Sequence, residues 1–157
     1  MKIADFLDAR AVLPLLKAST KKQALQEISQ QLGSLIAIDQ RVIFETLLTR
    51  EKLGSTGLGQ GIAIPHGRIP GLKQVTGFFA EMAAPIDYDA VDGKPVDLVF
   101  ALLSPDHAGA DHLTALAKIS RVMRSPAAVS RLRATNTTEG LYTVLTEPVA
   151  TTPASAA

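Results

Sequence analysis

The sequence predicts a single α/β domain (mixed α+β) in which helices cover both faces of a central β-sheet. Helical patterns of apolar residues occupy the chain from residue 21 to about 52. Apolar runs separated by turn signals fill residues 62–103, and helical patterns return from residue 111. Because a sheet with apolar residues on both faces must be covered on both, strands placed between helices indicate a layered domain.

Two helices are predicted before the sheet. Thr20 and Gln23 have the spacing of a capping box, and the apolar residues that follow recur along one helical face: Leu25, Ile28, Leu32 and Leu35. Gly33 weakens or ends this helix. Asp39 is a good N-cap and predicts a second helix that runs to about Lys52.

Three strands are predicted in the middle of the chain. Residues 62–64 form a short one ended by Pro65, and residues 75–82 form a second. Residues 96–103, "VDLVFALL", are nearly all apolar, which is typical of a strand buried on both faces. Asp92-Gly93 marks a turn between the last two.

The remainder of the chain is predicted to be helical. Residues 111–124 carry one apolar stripe, and Ser125-Pro126 places a capping residue before a proline at the first helical position. Asn136 and Glu139 have capping-box-like spacing before a last helix. Residues 148–157, "PVATTPASAA" at the chain end, offer little to bury and are predicted to be mobile.

Composition excludes several classes of protein. The 157 residues are 46% hydrophobic but only 4% aromatic, which predicts an aliphatic core. The net charge is +1 and the chain has no long run of charges of one sign, which argues against nucleic acid as the main partner. Without cysteine there are no disulfides and no thiol chemistry. No apolar run suits a signal peptide or a membrane span, so we expect a soluble, cytoplasmic protein.

The segment "GLGQGIAIPHGR" holds His66 between Pro65 and Gly67. Proline restricts the backbone before the histidine, and glycine allows another group to approach after it. Because neutral imidazole is a nucleophile near neutral pH, His66 is a candidate for covalent chemistry. The alternative is a hydrogen-bonded structural histidine at a strand end.

The glycines at positions 57, 59 and 61 permit backbone conformations that aim N–H groups at an anion. Ser55 and Thr56 add hydroxyl donors. The alternative is a flexible surface loop. Because the spacing matches neither the P-loop nor the dinucleotide fingerprint, a nucleotide site is not predicted.

Two further residues could bind an anion. Arg50 lies on or beside the inner face of the second helix, where a guanidinium can bind phosphate through two parallel hydrogen bonds; otherwise it complements the helix dipole. His112 begins an apolar stripe near a helix N-terminus, which favours its neutral form and attracts anions; otherwise it covers the edge of the core.

A metal site has little support. His107, Asp111 and His112 form the one local cluster of potential ligands, and their spacing matches no specific zinc pattern. We therefore predict neither a metal nor a cofactor.

These segments together resemble a known family, the enzyme IIA proteins of the bacterial phosphoenolpyruvate-dependent phosphotransferase system. Within that family the chain resembles the mannitol–fructose class, and the nitrogen-regulatory branch of this class matches its motifs most closely. The resemblance covers residues 1–147 and is carried by "FETLLTREKLGSTGLGQGIAIPHGR", "PIDYDAVDGKPVDLVFALLSP" and "DHLTALAKISRVMR". It implies a three-layer fold with a central mixed β-sheet flanked by helices on both faces.

The resemblance also implies roles for residues. His66 would be phosphorylated, Arg50 would contact the phosphate, and His112 would be the second active-site histidine, with the glycine loop at 57, 59 and 61 binding phosphate. Arg68 stands where a lysine is also common, and His107 receives no role. A rim of Leu58, Ile62 and Ile69 is predicted to surround the site as a docking surface.

The implied function is that of a phosphohistidine carrier and regulator. The phosphoryl donor would be a histidine phosphocarrier protein of the nitrogen branch, and the regulated targets would be proteins such as potassium transporters or sensor kinases. Any association with a membrane would come through such partners. Three alternatives remain: a sugar-specific component that passes phosphate to a permease, a non-catalytic anion-binding module, and a metal-dependent hydrolase built on the histidines.

Overall fold

A computed structural model describes residues 1–148 of the chain. Within this range the chain forms five α-helices and one six-stranded mixed sheet, which confirms the predicted fold class. Apart from Pro148, the tail predicted to be mobile lies outside the described residues. No helix within residues 1–148 combines the length and apolar character needed to cross a bilayer.

The strands, numbered in chain order, are β1 (Val12–Leu16), β2 (Gly57–Gly59), β3 (Ile62–Ala63), β4 (His66–Ile69), β5 (Thr76–Ile86) and β6 (Val96–Pro105). The helices are α1 (Lys21–Ile36), α2 (Gln40–Lys52), α3 (Ala110–Met123), α4 (Pro126–Arg133) and α5 (Thr138–Thr146). Two short 3-10 turns, Ile3–Asp5 and Ala9–Ala11, precede β1.

Strand β6 is the centre of the sheet. Its residues are buried except for half-buried Asp97, as the apolar run predicted, although the strand extends to Pro105. It pairs antiparallel with β5 along one edge. Strands β3 and β4 both pair parallel with it and therefore follow one another along its other edge. The sheet order is β1-β5-β6-β3-β2.

Most predicted helix starts are confirmed by their caps. The side-chain oxygens of Thr20, Asp39 and Ser125 each accept a backbone N–H bond from the first turn that follows. The prediction for the last helix was displaced by one residue: Thr137, not Asn136, caps α5 by accepting from the N–H of Gly140 at 3.1 Å. Because α5 begins at Thr138, the residue with the extended N-cap conformation is Thr137, with φ −117° and ψ 149°, and its hydroxyl makes the capping bond.

Helix α1 continues past Gly33, where the sequence allowed an ending. It stops at Ile36 because Ala37 adopts a left-handed conformation, with φ 57° and ψ 43°. A Cβ at position 33 would lie 2.8 Å from the carbonyl oxygen of Ile38. Glycine at position 33 therefore allows the chain between α1 and α2 to pass close to α1.

Helix packing places three element ends beside one another. Helix α2 packs on β4 and on α1, and α3 packs on β6. The C-terminal turn of α2, the start of β4 and the first turn of α3 carry Arg50, His66 and His112, respectively. The site candidates from the sequence are therefore supplied by separate elements around β6.

Candidate active site

His66 is the first residue of β4, where it pairs with Leu102 of β6. Its side chain is half-buried, and its Nδ1 lies 2.7 Å from the carbonyl oxygen of Ile64. Because a carbonyl only accepts hydrogen bonds, Nδ1 carries the proton. The lone pair of the neutral ring is therefore on Nε2.

Gly67 explains how a helix comes so close to this histidine. A Cβ at that position would overlap the side-chain methyl of Thr46 on α2. Glycine lets α2 pack directly on β4, and the group predicted to approach the chain at Gly67 is therefore this helix.

The surroundings keep the His66 ring neutral. Burial lowers the pKa of His66 below its ordinary value, and the positive charge of Arg50 acts in the same direction. The bond to the Ile64 carbonyl and the charge of Glu51 oppose this, but burial is the largest influence. A neutral imidazole with a free Nε2 is the nucleophilic form of histidine.

His112 lies in the first turn of α3 and is only 6% exposed. Its Nδ1 is 2.6 Å from the hydroxyl oxygen of Ser104, near the end of β6. Burial, with smaller influences from the charges of Arg68 and His66, lowers the pKa of His112 to about 4. This ring is therefore also neutral at pH 7.

The rings of His66 and His112 lie next to one another. Their centroids are 5.7 Å apart and their planes are tilted by 51°. Two neutral rings this close together can contact the same small anion. The structure thus brings together His66 and His112, which the sequence singled out separately.

Arg50 lies in the last turn of α2 and is half-buried. Its Nη1 donates to the carbonyl oxygen of Gly54 at 2.9 Å, which holds the side chain against the loop that follows the helix. One bond engages one of the five N–H donors of a guanidinium. The positive charge of Arg50 also lowers the pKa of His66, after the larger influence of burial.

The glycine segment forms a tight β2–β3 hairpin, and charged side chains contact its tip at Gln60 and Gly61. The N–H of Gln60 donates to Asp92 Oδ2 at 2.9 Å, and Arg133 donates to the Gln60 carbonyl at 2.6 Å. A Cβ at Gly61, where φ is +82°, would lie 2.6 Å from Asp97 Oδ1. These close contacts explain why position 61 is a glycine. Phosphate binding by Gly57, Gly59 and Gly61 stays a prediction.

The hydroxyls before the hairpin are used within the protein. Thr56 donates both its N–H and its hydroxyl to the buried carboxylate of Glu51. Tyr88 donates to the same carboxylate at 3.1 Å, and Lys21 forms an ion pair with it at 2.9 Å. The Ser55 hydroxyl donates to the backbone carbonyl of Tyr88. This network, which we call the Glu51 cluster, fixes the loop that follows Arg50.

His107 lies apart from these residues. Its side chain is exposed, and its nearest polar partner is Asp106 at 3.4 Å. Among residues 1–148, no three His, Asp or Glu side chains are arranged to hold a metal ion.

The predicted apolar rim was wrong in two of its three members. Leu58 is 37% exposed, but Ile62 and Ile69 are buried in the core. Ile62 lies in β3 and Ile69 ends β4, so both side chains pack inside the sheet layers. Two further large apolar side chains are exposed: Leu53, three residues after Arg50, and Leu113, directly after His112.

Comparisons with known proteins identify the family of the chain. The sequence profile described as "Phosphoenolpyruvate-dependent sugar phosphotransferase system, EIIA 2" matches residues 5–147. The chain belongs to this family. One EIIA 2 relative, named "Nitrogen regulatory protein", comes from Bradyrhizobium diazoefficiens. It is 49% identical over 151 residues, which cover 96% of this chain and 99% of the relative.

Solved structures of the EIIA type show the same fold. The crystal structure of the nitrogen regulatory protein IIA-Ntr from Neisseria meningitidis has a TM-score of 0.87 and 38% identity, covering 92% of this chain and 99% of that one. The crystal structure of IIA mannitol from Escherichia coli has a TM-score of 0.73 and 21% identity, covering 88% and 97%. The resemblance inferred from the motifs is therefore confirmed.

Sequence reasoning missed three features of this EIIA site. The Ile64 carbonyl, which selects the His66 tautomer, has no signature in side-chain identity. Glu51 is buried, and no pattern in the sequence marks it as different from other charged residues at helix ends. Ser104 was visible as the one hydroxyl in the apolar run "VFALLSP", but its partner His112 could be found only from the fold.

Proposed function

We propose that this protein is a phosphohistidine carrier and regulator of the phosphotransferase system. It accepts a phosphoryl group on Nε2 of His66 from a histidine phosphocarrier protein and controls target proteins through its phosphorylation state. The observation that carries the proposal is the bond from His66 Nδ1 to the Ile64 carbonyl. It leaves Nε2 as the free nucleophilic atom of a half-buried neutral ring beside a second histidine and an arginine.

The transfer step exchanges one N–P bond for another. The Nε2 lone pair of His66 attacks the phosphorus, and the bond between phosphorus and the donor's histidine nitrogen breaks, with its electron pair returning to the donor. Nothing is oxidised or reduced. Positive charge develops on the His66 ring as the bond forms. The Nδ1 proton shares this charge with the Ile64 carbonyl, which is already in place to accept it.

The remaining site residues are suited to bind the phosphoryl group during its transfer. Such a transition state needs in-line positioning and donors for its equatorial oxygens rather than covalent chemistry from the protein. Arg50 supplies the fixed charge, and its other N–H donors can bind oxygens in parallel. His112 supplies a neutral ring whose centroid lies 5.7 Å from the centroid of the His66 ring. It contributes a hydrogen bond without adding a charge that would compete with the nucleophile.

The regulatory part of the proposal rests on the relatives. The 49% identical Bradyrhizobium protein and the Neisseria protein of known structure are both named as nitrogen regulatory proteins. We therefore favour regulation over delivery of phosphate to a sugar permease. The targets would be transporters or sensor kinases that recognise the surface around His66.

Reconstitution of the relay tests the carrier function. The purified chain is incubated with labelled phosphoenolpyruvate, the phosphoenolpyruvate-dependent enzyme and the histidine phosphocarrier protein. We expect label on the chain that is labile in acid and stable in base, as a phosphoramidate should be. His66→Ala should abolish labelling, whereas the matched control His107→Ala, an exposed histidine outside the site, should retain it.

Two outcomes would contradict the proposal. No label on the wild-type chain would favour an anion-binding module without catalysis. Label that survives His66→Ala would place the acceptor elsewhere.

Phosphorylation should also control docking. It adds about −1.5 to −2 charges at the site. Two large apolar side chains near site residues in the chain are exposed: Leu53 (82%), three residues after Arg50, and Leu113 (66%), directly after His112. A target that covers these side chains with apolar or acidic groups should bind the unphosphorylated form more tightly. Binding should be measured for wild type, phosphorylated protein, His66→Ala and His66→Asp. Equal affinity for all four would separate the regulatory surface from the site.

A further inference from the structure

Ser104 is a buried polar residue that the proposed chemistry leaves without a role. It lies near the end of β6, where its backbone is paired with Arg68 of β4. Its side chain has no solvent exposure. Its hydroxyl oxygen lies 2.6 Å from Nδ1 of His112, a short distance for a neutral pair.

The proton in this hydrogen bond can be assigned by counting donors and acceptors. Among the hydrogen bonds of residues 1–148, His112 is the sole partner of the Ser104 hydroxyl. If His112 donated from Nδ1, the serine proton would be buried without an acceptor, which proteins rarely tolerate. If Ser104 donates, its proton and the Nδ1 lone pair are both satisfied. The second arrangement is the one that leaves no buried donor unpaired.

We propose that Ser104 is a positioning residue that donates to Nδ1 of His112 and holds this ring in its Nε2–H tautomer. Backbone and side chain thus set opposite tautomers in the two histidines. The Ile64 carbonyl leaves His66 with a lone pair on Nε2, and the Ser104 hydroxyl leaves His112 with a proton on Nε2. One ring is prepared to attack phosphorus and the other to donate to a phosphoryl oxygen.

This inference rests on the proposed function for its purpose but not for its geometry. Without Ser104, the neutral His112 ring would be free to place its proton on Nδ1, and Nε2 would then present a lone pair to the anion. A lone pair facing a phosphoryl oxygen is repulsive. The hydroxyl therefore converts a histidine that could accept or donate into one that donates.

Nitrogen NMR of the free protein tests the tautomers directly. In protein labelled with ¹⁵N at histidine, two-bond couplings at pH 7 report which ring nitrogen carries the proton. We expect the proton on Nδ1 of His66 and on Nε2 of His112. A wild-type spectrum with the His112 proton on Nδ1 would overturn the inference, whatever the protein does with phosphate.

Variants then connect the tautomer to transfer. Ser104→Ala should move the Nδ1 resonance of His112 toward that of an unbonded nitrogen and slow phosphoryl transfer roughly two- to tenfold, the loss expected for one hydrogen bond. Ser104→Thr keeps the hydroxyl and should restore both. The matched control is Ser29→Ala, because Ser29 is also buried but bonds the Leu25 carbonyl in α1.

The results separate this inference from the carrier function. Absence of phosphorylation in wild type would refute the carrier function. The tautomer of His112 would still be decided by the nitrogen NMR spectrum. Normal transfer in Ser104→Ala would overturn the positioning role even if His66 is the acceptor.

Discussion

Replacing Arg50 with alanine should slow phosphoryl transfer far more than it destabilises the fold. The guanidinium is half-buried at the end of α2, and within the described part of the chain it makes one hydrogen bond, to the Gly54 carbonyl at 2.9 Å. The core does not depend on it, since the buried inner positions of α2 are Ile43, Leu47 and Glu51. Its remaining donors and its charge are free to act on an anion at His66.

The expected size of the effect follows from the type of contact. A hydrogen bond to a charged group contributes about 1.5–3 kcal/mol. If that contact is made in the transition state, the rate falls roughly ten- to a hundredfold, at about 1.4 kcal/mol per tenfold. The bond from the Arg50 guanidinium to the Gly54 carbonyl lies at the protein surface, where water can replace either partner. We therefore expect the free energy of unfolding to fall by no more than about 1 kcal/mol.

The assay is single-turnover transfer from the phosphorylated phosphocarrier protein, with stability measured by urea unfolding on the same samples. Lys52→Ala is the matched control, because it removes a cation from the same last turn of α2. It should leave the transfer rate within about twofold, an effect of well under 1 kcal/mol. Normal transfer in Arg50→Ala together with a large loss of stability would refute the reasoning and make Arg50 a structural residue.

Three other perturbations test the energetics of the fold. Because the pKa of His112 is about 4 in the folded protein against an ordinary 6.5, the unfolded chain binds a proton first as the pH falls. The free energy of unfolding should therefore decrease between pH 6.5 and 4, and His112→Gln should flatten that part of the urea-derived profile; equal slopes would contradict the assignment. Glu51→Gln weakens the buried pair with Lys21 and should cost on the order of 3 kcal/mol, since the lysine would keep a poorly compensated charge; a change below about 1 kcal/mol by urea unfolding would show that the Glu51 cluster is not a unit. Ala37→Gly relieves a left-handed alanine after α1 and should raise stability by up to about 1 kcal/mol; a lower melting temperature would mean that the alanine methyl makes a compensating contact.

The sequence predicted the elements whose signals are local. Thr20 and Asp39 cap helices through hydroxyl and carboxylate groups of ordinary geometry, and the β6 run is apolar because both faces of that strand are covered. Strand β1 was missed because Pro14 and a left-handed Leu15, with φ 58°, break its alternation. Strand β4, "HGRI", has no strand pattern and exists because it pairs with β6.

The site shows the same division between local and distant information. His66, Arg50 and His112 were found from their chemistry, and the fold brings their elements together. The partners that define their protonation could not be found, because Ile64 acts through a backbone carbonyl and Ser104 through a contact across the β6–α3 connection. Two of the three rim residues were wrong because a short apolar segment does not reveal which face of a sheet it covers.

The most direct test of the central claim is the position of the phosphoryl group on the protein after transfer. Mass spectrometry assigns the modified residue, and phosphorus–nitrogen correlation NMR of the ¹⁵N-histidine protein assigns the ring atom. The bond between His66 Nδ1 and the Ile64 carbonyl predicts phosphate on Nε2 of His66, with the proton retained on Nδ1. Phosphate on Nδ1 of His66, or on His112, would contradict the account.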